Sequence, residues 1–393
     1  MKTENNQTNA LAKYALLYKK ELLDSVIPFW LEKSKDLQYG GYLTCLNRKG
    51  EVYDTDKFMW LQGREVWFFS MIYNKIEKKQ EWLEMALLGA EFMKKHGMDS
   101  QGNWYFSLTR DGKPLVQPYN IFSDCFAAMA FSELYKATKN EEYRQIALNT
   151  FYNIQKRQDN PKGIYSKSYQ GTRPLKSFSL PMIMCNLSLI MEEVLGTDKV
   201  NLTIEPLIKE VMEIFYDEKT GLILENVNPD GSFCDSFEGR LVNMGHTNES
   251  MWFMMDLAVR NNDYALIEKA VQILLKSTEF GWDKKFGGIF YFLDIKGHPT
   301  QQLEWDQKLW WVHVETLISM AKAYRLTGNN ECLQWFEKLH DYTWKHFKDQ
   351  EYPEWYGYLN RAGEPLLDLK GGKWKGCFHV PRGLFEIWNI IKN

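Results

Sequence analysis

The chain has 393 residues, 45% of them hydrophobic and 25% charged, a balance that excludes a disordered or fibrous polypeptide. Its formal net charge of -3 argues against nucleic acid or an anionic membrane as the main partner. No apolar run reaches the roughly 18–20 residues that span a bilayer. Met1–Ala10 is polar, without a secretory pattern, and Cys45, Cys125, Cys185, Cys234, Cys332 and Cys377 are scattered without zinc-like or redox-like spacing, so a reduced, cytoplasmic protein is expected.

In chain order, the amphipathic stretch Leu11–Leu31 opens a repeating series. A glycine-aromatic strand cue then recurs at Gly40, Gly102, Lys162, Gly221, Gly287 and Tyr356, at intervals of about 60 to 70 residues, longer than the simple solenoid repeats. Turn signals such as Asn47–Gly50, Arg110–Gly112, Pro229–Gly231 and Arg361–Gly363 follow most of the cues and read as hairpin punctuation. Each loop leads into a strongly apolar helix, expected over Asp56–Tyr73 (with Asp56 as N-cap), Ser123–Thr138, Pro181–Leu195, Thr247–Val259, Leu309–Leu326 and Pro381–Lys392. Between them lie amphipathic helices with Lys and Glu on one face: Gln80–His96, Glu141–Gln158, Thr203–Tyr216, Tyr264–Phe280 and Asn330–Phe347. Helices that are apolar all round belong inside and those with a charged face outside. The pattern predicts an all-α fold, an (α/α)6 barrel with short β-hairpin loops at one end, as one domain over residues 1–393. An open α-solenoid is the alternative, but its repeats are shorter and lack hairpins.

There is no G-x-G-x-x-G after a strand, no phosphate-binding loop, no H-E-x-x-H and no G-x-S-x-G elbow. Arg64 lies within a helix that places it on one face with Trp60, Trp67 and Met71. A permanent cation there needs an anion or an internal partner. Of the seven histidines, His96, His298, His340 and His346 fall on outer helices or loop tips and read as solvated. His246, in N-M-G-H-T-N-E, and His379, in G-C-F-H-V-P-R, stand at loop–helix junctions, where a helix N-terminus disfavours imidazolium and keeps the ring neutral. Glu249 is three residues beyond His246, and Glu315 shares a helical face with Trp311 in K-L-W-W-V-H-V-E. Arg64 alone reads equally as an internally paired residue, and for either histidine alone a structural role is the simpler reading. Together, two neutral imidazoles, an arginine and carboxylates in an aromatic cavity suit metal-free proton exchange at a carbon beside a carbonyl.

These motifs resemble the N-acylglucosamine 2-epimerase family, called renin-binding protein in animals. The resemblance is carried by Tyr39-Gly40-Gly41-Tyr42, Trp60-Leu61-Gln62-Gly63-Arg64, Gly171-Thr172-Arg173-Pro174, Gly245-His246 with Glu249, Lys308 to Glu315, and Lys375 to Arg382. It implies an (α/α)6 barrel that interconverts N-acetyl-D-glucosamine and N-acetyl-D-mannosamine. In that light His246 and His379 are the acid/base pair, Arg64 stabilises the enediolate, and Glu315 orients a catalytic group. Glu249, Trp310 and Trp311 match sugar-contacting positions. The resemblance further implies a homodimer, an amino sugar as the small-molecule partner, and no required cofactor or metal. Several members are activated by ATP without consuming it, and the basic loop Lys162–Lys176 is the place for such a nucleotide, although a solvated surface loop is the simpler reading. Relatives acting on free sugars (cellobiose 2-epimerases and mannose isomerases) carry a histidine on the helix that here reads Pro181–Leu187. In its place Met182 and Met184 are expected to face an acetyl methyl, with Asn186 near its amide. Competing readings are a related aldose 2-epimerase or mannose isomerase, a glycoside hydrolase with Asp124 and Glu249 as paired carboxylates, and a non-catalytic binding protein.

Overall fold

The computed structural model describes residues 2–169 and 171–392; Met1, Asn393 and Gln170 (inside the expected nucleotide loop) lie outside the described residues. Helix α1 (Lys2–Lys20) passes through a π-helical stretch, Glu21–Val26, into α2 (Ile27–Lys33). Pro28 has no N–H to donate back to the preceding turn, which accounts for the widened register before it. The chain then alternates inward and outward. It runs through α3 (Met59–Lys75) and α4 (Gln80–His96), then α5 (Phe122–Thr138) and α6 (Glu141–Arg157). Next come α7 (Ser179–Ile190), the short α8 (Glu192–Leu195) and α9 (Thr197–Lys209). The series ends with α10 (Met244–Asn261), α11 (Tyr264–Gly281), α12 (Trp310–Thr327), α13 (Asn330–His346) and α14 (His379–Lys392).

Each inner helix packs on the next: α3 on α5, α5 on α7, α7 on α10, α10 on α12 and α12 on α14. The ring closes where Phe378, just before α14, meets Trp67 of α3 with centroids 5.4 Å apart, and where Lys75 lies over Phe385. The outer layer places α4 on α3, α6 on α5, α9 on α7, α11 on α10, α13 on α12 and α1 on α14. This is an (α/α)6 barrel. In α3 the run Leu61–Ile72 is buried without interruption, as is Trp310–Ala321 in α12. A helix between two neighbours and an outer layer has no solvent face, so no amphipathic period is left in it.

Glycines allow two of the close crossings. A Cβ on Gly63 would come within 2.8 Å of the Phe126 backbone, and one on Gly245 within 2.5 Å of the Trp311 ring. At one end of the barrel, the short strand before an inner helix pairs with the hairpin of the following repeat. Lys57–Phe58 pairs antiparallel with Ser107–Leu108, Lys176–Ser177 with Asn226–Val227, Leu241–Asn243 with Phe292–Asp294, and Lys308–Leu309 with Tyr358–Leu359.

That stitching changes several expected boundaries. Asp56 is not an N-cap: Lys57–Phe58 are strand, and the extended Phe58 precedes a helix that begins at Met59. The helix expected over Pro181–Leu195 begins at Ser179 and breaks at Met191. Helix α10 begins at Met244 rather than Thr247, because the Asn243 side chain accepts the His246 N–H at 3.1 Å. His340 is buried rather than solvated, its Nδ1 2.9 Å from the Tyr18 hydroxyl of α1.

Candidate active site

The Asn243 cap sets His246 in the first turn of α10, at the hairpin end of the barrel. Its Nδ1 donates to Glu225, with both carboxylate oxygens at 3.0 Å. Glu225 is held by backbone bonds on both sides: its N–H donates to Leu241 and its carbonyl accepts from Phe178, each at 3.0 Å. His379 opens α14, and its Nδ1 donates to Glu315 Oε1 at 2.7 Å. The second Glu315 oxygen accepts from Trp252 Nε1 at 2.9 Å. Arg382, one turn beyond His379, reaches Glu315 Oε1 at 2.6 Å and Glu249 Oε1 at 2.5 Å with the same Nη2.

Both imidazoles therefore use Nδ1 on a carboxylate, and among the described residues neither Nε2 has a hydrogen-bond partner. The Trp311 ring lies beside both, 5.4 Å from His246 and 5.7 Å from His379. Trp310 is 6.2 Å from His379. Arg64 comes from α3, its guanidinium stacked over Phe126, Trp60 and Phe378 at 4.1, 4.4 and 4.7 Å. Among the described residues no carboxylate pairs with it, and its buried Nε has no acceptor. His313 is the internal contrast. Its Nδ1 donates to the Leu309 carbonyl and its Nε2 accepts from Ile289 N–H, so both nitrogens are spent on backbone. Burial pushes its pKa down to about 3.

Electrostatics separate the two rings. Burial and the Arg64 charge hold His379 well below the usual imidazole range, the Arg382 charge adding to them. Burial opposes charging of His246 as well, but the Glu225 carboxylate outweighs it and the pKa rises above 6.5. The two rings thus shift in opposite directions, because a hairpin carboxylate, absent from the helix-terminus argument, touches His246. Burial lowers Arg64 to about 9, partly offset by Glu249. Glu249, Glu315 and His379 offer ligand atoms within 4.8 Å of one another, a spacing that suits a metal ion. Arg382, bonded to both carboxylates, already supplies positive charge there.

A family model described as N-acylglucosamine 2-epimerase (GlcNAc 2-epimerase) matches residues 41–380. The N-acylglucosamine 2-epimerase of Rattus norvegicus is 38% identical over 378 residues, covering 94% of this chain and 90% of that one. The chain belongs to the N-acylglucosamine 2-epimerase family. Its Homo sapiens namesake is 36% identical over 378 residues, covering 92% and 86%. The solved cellobiose 2-epimerase of Bacillus thermoamylovorans B4167 superimposes with a TM-score of 0.83 at 21% identity, over 96% of this chain and 99% of that one. At that identity the likeness speaks for the fold.

The residues that the family resemblance singles out converge in space. Arg64, His246, Glu249, Trp310, Trp311, Glu315 and His379 come from four inner helices to the hairpin end of one barrel. Met182 and Asn186 lie one turn apart on α7, both buried, and among the described residues Asn186 Oδ1 has no hydrogen-bond partner. Among the described residues no hydrogen bond or ring contact joins these two to the imidazoles. Asp124, offered as one of two hydrolytic carboxylates, is fully buried and bound to Arg157 at 2.5 Å, while Glu249 is held by Arg382. Sequence reasoning missed Glu225, Trp252 and the role of Arg382. The available signal for Glu225 was a carboxylate closing the apolar run Leu222-Ile223-Leu224.

Proposed function

We propose that the chain interconverts N-acetyl-D-glucosamine and N-acetyl-D-mannosamine by moving a proton at C2 of the ring-opened sugar. The observation that carries this reading is the pair of carboxylate-anchored imidazoles, each with a free Nε2, flanking Trp311 beside an unpaired Arg64. Opening the ring exposes the C1 aldehyde and acidifies the C2 proton. One imidazole Nε2 takes that proton, and the electron pair moves onto the C1 oxygen, where Arg64 meets the developing charge. The other imidazole returns a proton to the opposite face and inverts C2. Glu225 and Glu315 fix the tautomer of each ring by accepting from Nδ1–H. Glu249, Trp310 and Trp311 hold the sugar, and Met182 and Asn186 take its acetamido group.

Full-length identity of 36–38% to N-acylglucosamine 2-epimerases supports the N-acyl sugar over free aldoses. Free cysteines, five of the six buried, support a reducing cytoplasmic setting. The family adds a homodimer and an ATP response, which light scattering and rates with and without ATP test. The deciding experiment is proton NMR of N-acetylmannosamine in deuterated buffer. Wild type exchanges the C2 proton during turnover, and His246→Ala and His379→Ala each lose that exchange. Full exchange in either single variant rejects the two-base scheme.

A further inference from the structure

Three hairpins turn on the same frame. Asp36, Asp283 and Asp349 each open a turn that a bridged pair closes: Lys35 with Tyr42, Trp282 with Ile289, and Lys348 with Trp355. The residue before the second member of each pair is left-handed, Gly41 at φ 70°, Gly288 at 73° and Glu354 at 65°. Two of the hairpins use glycine there, and the third a glutamate whose Cβ is crowded in that conformation. Among the described residues the other non-glycine positive φ values belong to Lys139 and Asn262, exposed C-caps of α5 and α10, whereas Glu354 is buried. A strained, buried side chain directs attention to what it holds. Glu354 Oε2 accepts from Trp30 Nε1 at 2.7 Å, and Oε1 accepts from Lys375 Nζ at 2.8 Å and from Trp355 N–H at 2.9 Å. Its carbonyl accepts from Lys370 Nζ at 2.7 Å. Both lysines are buried, and Lys375 Nζ also donates to the Lys370 carbonyl at 2.8 Å.

The two lysines bracket residues 370–376, where Gly371, Gly372 and Gly376 leave the backbone slack unless it is tied. Between the ties Lys373 and Trp374 are exposed. The Lys373 carbonyl accepts from Trp60 Nε1 at 3.2 Å, and the Trp374 ring meets Trp60 edge-on at 5.5 Å. Trp60 is one wall of the Arg64 guanidinium stack, and Phe378, whose N–H donates to the Gly376 carbonyl at 2.9 Å, is another. We propose that Glu354 is a positioning residue: through Lys370 and Lys375 it pins residues 370–376 as a strap across the Arg64 side of the barrel mouth and so fixes the Trp60 and Phe378 walls of the guanidinium. The first end of the strap has further ties, since Lys370 Nζ also reaches Asp349 at 2.9 Å and its N–H the Leu46 carbonyl at 3.0 Å. At the second end, among the described residues, no other carboxylate pairs with Lys375. The strap therefore depends most on the Glu354–Lys375 pair. The oxyanion that Arg64 meets rests on the epimerase reading, whereas the pinning stands on geometry alone.

The test joins trypsin cleavage, read by mass spectrometry, to kcat and KM for C2 proton exchange. Lys373 is exposed within the strap, so cutting after it reports release. Lys375→Met frees the second end and leaves Glu354 its bonds to Trp30 and Trp355. Adding Glu354→Gly suits the left-handed turn and, with the lysine already gone, orphans no buried charge. Both the single and the double variant unfold near the wild-type midpoint and are cut after Lys373 far faster than wild type. In both, kcat/KM falls by about tenfold or more, chiefly in kcat, because Arg64 loses its placement rather than its charge. The two losses agree within about twofold, since the two residues act as one pin. An uncut strap in the variants overturns the proposal, as does a released strap with the wild-type kcat/KM. So does a double variant much slower than Lys375→Met, which would place the work of Glu354 elsewhere. Wild type without C2 exchange refutes the epimerase reading, while cleavage after Lys373 still decides the pinning.

Discussion

Helices α3 and α12 are built alike and carry opposite charges to the same end of the barrel. Each follows a two-residue strand that opens with a buried lysine, Lys57 or Lys308. Each lysine pairs with an aspartate of the preceding hairpin, Lys57 with Asp36 at 2.9 Å and Lys308 with Asp283 at 3.2 Å. An arginine of the following hairpin completes the clamp, Arg110 on Asp36 and Arg361 on Asp283, both at 2.9 Å. Each helix shows a tryptophan in second place, Trp60 or Trp311, and a charged residue in sixth, Arg64 or Glu315. The clamps are closed: each aspartate has two cations and backbone N–H donors from its own turn. The sixth positions differ: Glu315 is bonded to His379, Arg382 and Trp252, while among the described residues no carboxylate pairs with Arg64. The same residue types serve stability where the charges are satisfied and chemistry where one is left waiting.

The sharpest way to break this comparison is Arg64→Met. If the unpaired guanidinium exists to meet an oxyanion, kcat falls by about 10²–10³, or about 2.7–4 kcal/mol of transition-state stabilisation. Thermal stability holds or rises, since a buried cation without a partner is removed. A variant that loses stability and keeps its rate would make Arg64 another clamp.

Lys308→Met is the converse. It leaves Asp283 buried with Arg361 alone, and we expect a loss of about 3 kcal/mol in chemical denaturation, with the rate per folded molecule retained. The clamp also sets an acid limit. Burial alone would raise the Asp283 carboxyl, but Arg361, the turn N–H and Lys308 together bring it down to about 2 from 3.8. A carboxylate depressed in the folded state stabilises above its unfolded value and stops doing so as pH falls through the folded one. Wild type therefore loses stability between about pH 4 and pH 2, and Lys308→Met loses less over that window. Parallel acid curves for the two proteins would remove the clamp from the account.

How far the residues alone disclosed this arrangement depended on sequence distance. The inner helices were legible because all-round burial is a local signal, Arg64 because it is a lone cation within such a helix, and His246 and His379 because each sits at a junction between a loop motif and such a helix. Glu225 was not legible: it reaches His246 only because Leu241 and Phe178 hold its backbone in a hairpin whose register no local pattern specifies. His340 was misread for the same reason, since its cover is Tyr18, 322 residues away. Arg382 stood in a motif that could be quoted, but its work depends on two carboxylates from two other helices.

The mildest test concerns how α3 starts. A cap at Asp56 would hold the free N–H groups of the first turn, and its loss would cost about 1 kcal/mol. Instead Lys57 and Phe58 leave the helix to pair with Leu108 and Ser107, while the Asp56 N–H is taken by its neighbour Asp54 at 2.8 Å. The Met59 N–H donates to the Phe106 carbonyl at 2.9 Å, so the neighbouring hairpin does what a capping side chain would do. The same holds in α12, where Trp310 N–H donates to Gly357 at 3.0 Å. Asp56→Ala should therefore change stability by less than about 0.5 kcal/mol, whereas Asn243→Ala, which removes the side-chain cap of α10, should cost about 1 kcal/mol and disturb the placement of His246. Equal losses in the two variants would mean that α3 depends on Asp56 after all, and that the strand-fed start shared by α3 and α12 is not what positions their sixth residues.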